Sequence, residues 1–182
     1  LVDFTNELNE ALDYEMGRRR AMYPDAAEIV RRAAMAGAAL WTRRRDHPQF
    51  LHVALGLADL EWRPPLTNSV DDEPDLQLIV DDAGILPLAP LAVPATPGSI
   101  IGLAGNRAAA AATARGMLAQ IAVMQGPAEV RIVVATSAEH ATDWDWAKWL
   151  PHMRPAFAGG RLLSIVADEN GSFVIEIAGT DL

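Results

Sequence analysis

Ile100-Ile101-Gly102-Leu103-Ala104-Gly105-Asn106-Arg107-Ala108-Ala109 opens with strand character, turns through glycine and enters an alanine-rich run that ends at Gly126-Pro127. A short apolar strand, a Gly-containing turn and a helix make one βα unit. Gly followed by Pro is a strong helix stop. Val130-Arg131-Ile132-Val133-Val134-Ala135-Thr136 comes next, a β-branched run of the kind expected for a buried parallel strand. A Trp-rich helical turn over 143–150, a strand over 162–166, a turn at Glu169-Asn170-Gly171 and a last strand over 173–177 complete the series. Strand, helix, strand, helix, strand from 99 to 166 predicts an α/β fold with a three-layer, mostly parallel sheet.

Toward the amino end, Leu1, Phe4, Leu8, Leu12 and Met16 recur at steps of three and four and form one apolar stripe, so 1–17 reads as a helix. Asp3, Glu7, Glu10, Asp13 and Glu15 occupy its other positions. Over 18–45 the sign reverses: Arg18, Arg19, Arg20, Arg31, Arg32, Arg43, Arg44 and Arg45 face only Asp25 and Glu28. A second helix starts at Tyr23-Pro24-Asp25, because Pro suits the first turn and Asp the positive helix end. After the turn at Asp46-His47-Pro48, residues 50–57 alternate as an extended segment. Residues 63–75 read as irregular, 76–80 as a strand, and the passage with Pro87, Pro90, Pro94 and Pro97 as a connection. Helical elements over 1–45 and an α/β domain over 46–182 are the expected divisions.

With 182 residues, 51% hydrophobic and 21% charged, the chain can build a sizeable core and is not disordered throughout. A net charge of −9 argues against general nucleic-acid binding. The absence of Cys removes disulfides, thiolate metal sites and a cysteine nucleophile. No apolar run of about 18 residues is present to span a bilayer. Leu1 at the start suggests a piece of a longer protein. The excess of Arg over Lys148, the single lysine, reads as compositional bias.

Against the eight-position Walker A pattern, Gly102 and Gly105 fall on positions one and four. Position six, normally Gly, is Arg107; position seven, the phosphate-gripping Lys, is Ala108; position eight, the Mg²⁺-binding hydroxyl, is Ala109. The scaffold is kept and its chemistry is gone. An ordinary βα turn would read the same way. His47, His52, His140 and His152 show no metal-ligand spacing, so no metal or cofactor is expected. Asp81-Asp82 precede the Gly turn, the wrong order for a hydrolytic acidic pair. Trp144, Trp146 and Trp149 belong either to the core or to a protein-contact face, with Trp146 and Trp149 at i, i+3.

Two segments carry a resemblance. One is Tyr23-Pro24-Asp25 with Leu40-Trp41-Thr42-Arg43-Arg44-Arg45-Asp46-His47-Pro48-Gln49-Phe50-Leu51 and Val53-Ala54-Leu55-Gly56. The other pairs 102–107 and its helix with Trp144-Asp145-Trp146-Ala147-Lys148-Trp149-Leu150-Pro151-His152. Together they cover most of 20–154. They resemble the cytosolic segment after the transmembrane helices of membrane-anchored FtsK/SpoIIIE-type ATPases, notably the EccC family of type VII secretion.

The resemblance implies a P-loop-ATPase-like domain with a degenerate nucleotide site, joined to the membrane by an N-terminal helical stalk and followed by true ATPase domains. Gly102, Gly105, Asn106, Arg107, Ala108 and Ala109 would be the vestigial phosphate loop. The implied partners are the transmembrane and motor segments of the parent and secretion-complex subunits, in a homo-oligomer at the cytoplasmic face of the membrane. A DNA translocase with an Arg-rich DNA-facing region is the alternative within the superfamily. An enzyme with a non-Walker nucleotide site is the alternative outside it.

Overall fold

The computed structural model describes residues 2–35, 37–65, 74–95, 98–154, 161–167 and 173–178. Helix α1 spans Val2–Met22 and α2 spans Ala26–Met35; Pro24 separates them, since its ring excludes a helical preceding residue. Strand β1 is His52–Glu61, helix α3 Pro74–Asp82, strand β2 Ile85–Pro94, strand β3 Ile100–Leu103 and helix α4 Arg107–Met124. Strand β4, Val130–Ala135, leads into short helical turns, of which α5 is Ala141–Trp144. Strands β5, Arg161–Ala167, and β6, Phe173–Ala178, close the described chain.

The chain divides into two compact units, one of Leu1–Asp25 with Gly56–Ala92, the other of Ala26–Leu55 with Val93–Leu182. In the first, Met16 is buried with Leu86 and Ala89, and Leu12, Leu60 and Trp62 pack against them. The stripe read from the first helix therefore faces strand residues of its own unit. α1 is acidic in its first turn and basic in its last, the order that complements the helix dipole.

The second unit holds a four-stranded sheet ordered β3-β6-β5-β4. β4 and β5 are parallel, with Val130 opposite Arg161 and Ala135 opposite Val166. β6 is antiparallel to both β5 and β3. Three strands therefore share a direction, while only one of the three pairings is parallel. The mostly parallel sheet expected from the βαβαβ progression is corrected to a mixed one. Only 168–172 separate β5 from β6, too few for the crossover of about a dozen residues that a parallel return requires. β6 turns back beside β5 and lies between it and β3. The turn expected at 169–171 lies outside the described residues, as does most of the stretch 63–75.

Two further readings change. Residues 76–80, expected as a strand, are inside α3, where Gln77 Nε2 donates to Asp81 Oδ1 at 2.9 Å across one helical turn. Pro74 stands at the first helical position, where a missing N–H costs nothing. The proline passage is strand β2, paired only with β1 in a two-stranded ribbon. Both strands of such a ribbon are edges, and edges tolerate proline. Leu88, at φ +49°, breaks the alternation between Pro87 and Pro90 and donates its N–H to Asp59 Oδ1 at 2.9 Å.

α4 is the centre of the second core. Ala110, Ala111, Ala114, Met117, Leu118, Ile121 and Ala122 recur at helical spacing and are buried with Val130, Ile132, Leu51 and Val53. Alanine at four of these positions lets the helix backbone approach its neighbours closely. Met117 and Leu118 fill the remaining volume, and truncating either to Ala costs about 2–5 kcal/mol. Gln120 ties the helix to β1, its amide accepting from Ala54 N–H and donating to Ala54 C=O, both at 2.9 Å.

Candidate functional site

The Gly turn is a three-residue link, Ala104 to Asn106, between β3 and α4. Gly102 lies inside β3, opposite Val174. Gly105 has φ +128°, a conformation in which a Cβ is strained, so glycine is required there by the backbone. Asn106 caps α4, its Oδ1 accepting from Ala109 N–H at 3.2 Å. Arg107, Ala108 and Ala109 form the first helical turn, with both alanines exposed.

Arg107 is turned along the surface, its guanidinium 3.9 Å from Asp143 Oδ2. Half-exposed pairs of this length contribute at most about 1 kcal/mol. His140 Nδ1 lies 3.9 Å from the same carboxylate. The turn thus offers Mg²⁺ no hydroxyl at position eight and a phosphate no ammonium at position seven. The helix N–H at Ala109 is already bonded within the chain.

The three tryptophans do not share one face. Trp144 is buried in the core beside Ala147, and Trp146 packs partly against that core. Trp149 is 76% exposed, with Lys148 Nζ 5.5 Å from its ring centroid. Lys148 is also held by Asp145 at 2.6 Å.

The opposite end of α4 is where the two segments that carry the resemblance meet. A helix leaves its last four carbonyls without intrahelical donors. Here each has one. Trp41 Nε1–H donates to Ala122 C=O at 3.1 Å and Trp41 N–H to Val123 C=O at 2.8 Å. Arg43 N–H donates to Met124 C=O at 2.9 Å, and His152 Nε2 bonds Gln125 C=O at 2.8 Å. Since a carbonyl only accepts, that histidine carries its proton on Nε2; its buried Nδ1 has no partner. Trp41 adopts φ +54° to reach this position, a strained conformation for a non-glycine residue. The Gln125 amide closes the end, donating to Ile121 C=O at 2.8 Å and accepting from Leu51 N–H at 3.2 Å.

Burial lowers the His152 pKa below the ordinary histidine value, although the bond to Gln125 opposes the shift. His52 is lowered by burial and by Arg43. Arg43 is itself buried, donating from Nη1 to His52 C=O at 2.9 Å. Arg44 and Arg45 share Glu129 at 3.6 and 2.9 Å. On α2, Arg31 and Arg32 hold the Glu28 carboxyl down to about 2.

Sequence reasoning placed the Gly turn and missed this capped end. Its signal was present in the helix-stop Gly126-Pro127 and in the unexplained Trp41, Arg43 and His152, but residues 41 and 152 are too far apart along the chain to be connected by spacing.

No protein-family model matches the chain. It is 31% identical over 122 residues to the ESX secretion system protein EccC of Thermomonospora curvata, covering 62% of this chain and 9% of that protein. It is 29% identical over 139 residues to the ESX-4 secretion system protein EccC4 of Mycobacterium tuberculosis, covering 71% and 11%. To EccC of Geobacillus thermodenitrificans it is 24% identical over 141 residues, covering 72% and 10%. The chain spans about a tenth of the length of these relatives. The curated homologues of the chain whose α4 carries this Gly turn at one end and this cap at the other are EccC proteins of ESX type VII secretion systems.

Proposed function

We propose that the chain is a membrane-proximal, non-hydrolysing, P-loop-ATPase-like segment of a type VII secretion motor component, coupling membrane pore to motor domains. The observation that carries this reading is the first turn of α4. Arg107 faces Asp143, Asn106 takes the Ala109 N–H, and alanines stand at the lysine and hydroxyl positions. Phosphoryl transfer rests on positioning and charge neutralisation at those positions. A turn without them supplies a rigid strand-to-helix connection and no catalysis.

In this reading 1–45 serves as stalk and connecting helices and 46–182 as the body, a division of roles and not of compact units. The partners are the transmembrane and motor segments of the parent, other secretion-complex subunits and further copies of the chain, at the cytoplasmic face of the membrane. No described helix is long and apolar enough to cross a membrane. The DNA-translocase alternative is not favoured, because the named homologues are secretion proteins.

Isothermal titration with MgATP tests the reading. No saturable heat is expected up to millimolar nucleotide; saturable micromolar binding overturns it.

A further inference from the structure

The charge of the chain is not spread evenly. The unit of Leu1–Asp25 with Gly56–Ala92 holds 14 acidic residues and four arginines, a net of −10, while the other unit holds 10 acidic and 11 basic residues, a net of +1. Two of the four arginines, Arg18 and Arg19, are engaged by the single carboxylate of Glu15 at 2.7 and 2.8 Å. A unit this acidic repels nucleic acid and anionic lipid headgroups and attracts cationic partners.

In this unit one face of the ribbon of β1 and β2 packs on α1, where Leu60, Trp62, Leu86 and Ala89 gather with Leu12 and Met16. Side chains alternate across a strand, so Leu57, Asp59 and Glu61 point the other way. Trp62 N–H donates to Gly84 C=O at 3.0 Å, which sets Ile85 beside Glu61, and Leu88 N–H donates to Asp59 Oδ1 at 2.9 Å. Leu57, Ile85 and Leu88 are 65%, 50% and 61% exposed, and Asp59 and Glu61 are exposed with them. Asp81 and Asp82, also exposed, end α3 just before Ile85. Among the described residues no arginine or lysine pairs with any of these four carboxylates. The face is therefore aliphatic, with an uncompensated acidic rim.

We infer that this outer face of the ribbon docks a basic amphipathic helix of a partner protein. The apolar stripe of that helix lies on Leu57, Ile85 and Leu88, as the stripe of α1 lies on the opposite face. Its lysines or arginines flank the stripe and meet Asp59, Glu61, Asp81 and Asp82. Charge selects this occupant: a rim of carboxylates on a unit of net −10 repels an acidic helix and gains nothing from a neutral one. The aliphatic contact holds the helix and the charged rim steers it, so the contact is salt-sensitive. The inference gives a chemistry to the secretion-complex partners of the proposed function and rests on that reading only for where such a helix comes from.

A synthetic helix of about five turns, with leucine along one stripe and lysine beside it, is the probe. Two controls keep its length, one with glutamate for lysine and one with alanine for leucine. Titrated into the isotope-labelled full chain and followed by NMR, the Leu/Lys helix should shift the backbone amides of 57–61 and 85–88. It should bind at least about tenfold more tightly than either control, and at least about fivefold more weakly at about 0.5 M than at about 0.05 M NaCl. Leu57→Ser/Ile85→Ser and Glu61→Lys/Asp82→Lys should each weaken binding at least about tenfold while keeping the wild-type circular dichroism spectrum, since all four side chains are exposed. Shifts centred away from the ribbon overturn the inference, as does a Leu57→Ser/Ile85→Ser chain that binds like wild type or a Leu/Glu helix that binds equally well. No nucleotide is involved, so a failure here is distinct from a failure in the MgATP titration.

Discussion

His152 is the best place to perturb the second unit, because its two ring nitrogens make opposite contributions. Nε2–H satisfies the last carbonyl of α4, while the buried Nδ1 bonds nothing. Replacing His152 by Phe keeps a ring of similar shape and removes both. The orphaned Gln125 carbonyl costs about 1–3 kcal/mol, partly offset by deleting the unsatisfied Nδ1. A net loss of about 1–2 kcal/mol is expected at pH 7.5.

The pH dependence separates this account from simple repacking. The folded His152 pKa lies below the ordinary value because burial disfavours the charged ring, more than the bond to Gln125 favours it. The unfolded chain binds that proton near pH 6.5, so below this pH the unfolded state holds more protons than the folded one. Stability from this group is therefore full above about 6.5 and falls with pH, by up to about 1.4 kcal/mol per pH unit, until the folded pKa is reached. The Phe variant lacks this loss, so wild type and variant should converge as pH drops from 7.5 to 5.5. His52, also lowered, titrates equally in both chains. Glu28, held near 2, and Glu15, lowered by Arg18, change only at more acidic pH and again equally. Urea unfolding followed by tryptophan fluorescence measures the two curves. Parallel curves, with an unchanged gap from pH 7.5 to 5.5, refute the assignment of the His152 proton to Nε2 in a buried, donor-only role.

Asn106→Ala removes the side-chain acceptor for Ala109 N–H and should destabilise the second unit by about 1 kcal/mol, with Asn106→Asp close to wild type; urea midpoints decide. Gly105→Ala should cost about 1–3 kcal/mol through φ +128° alone, since no atom lies within 4 Å of the added methyl, whereas a cost below a few tenths would show that the turn tolerates a side chain. Arg43→Met should raise the His52 pKa toward its ordinary value by removing a nearby cation, read from the imidazole proton shifts against pH; an unchanged His52 would leave burial as the entire cause.

Periodicity was most informative where one element buries one face. The first helix declared itself through Phe4, Leu8, Leu12 and Met16, and α4 through its glycine-proline stop. β4, β5 and β6 were visible as apolar runs, but their order was not, because strand direction depends on connection length. The five residues between β5 and β6 decide it, being too few for a parallel crossover. Leu76 to Val80 was ambiguous for a different reason: a five-residue apolar run suits a buried strand or a helix equally. β2 was hidden by its prolines, which exclude a central strand but not an edge.

The candidate site was legible at one end of α4 only. Local pattern located the Gly turn, since its glycines and missing lysine lie within eight residues. The capped end is assembled from residues more than a hundred positions apart, and each of its parts has a bland reading by itself: Trp41 as core, Arg43 as surface, His152 as a stray histidine. Their shared purpose appears only in the bonding of four consecutive carbonyls. Trp41 and Arg43 from the Leu40–Phe50 segment and His152 from the Trp144–His152 segment meet at the end of α4 remote from the Gly turn. Four donors from two separate segments, one of them on a strained backbone, tie the incoming chain to the helix that carries that turn. These bonds hold residues 41–43 against the helix at the centre of the second core without requiring any ligand at its other end.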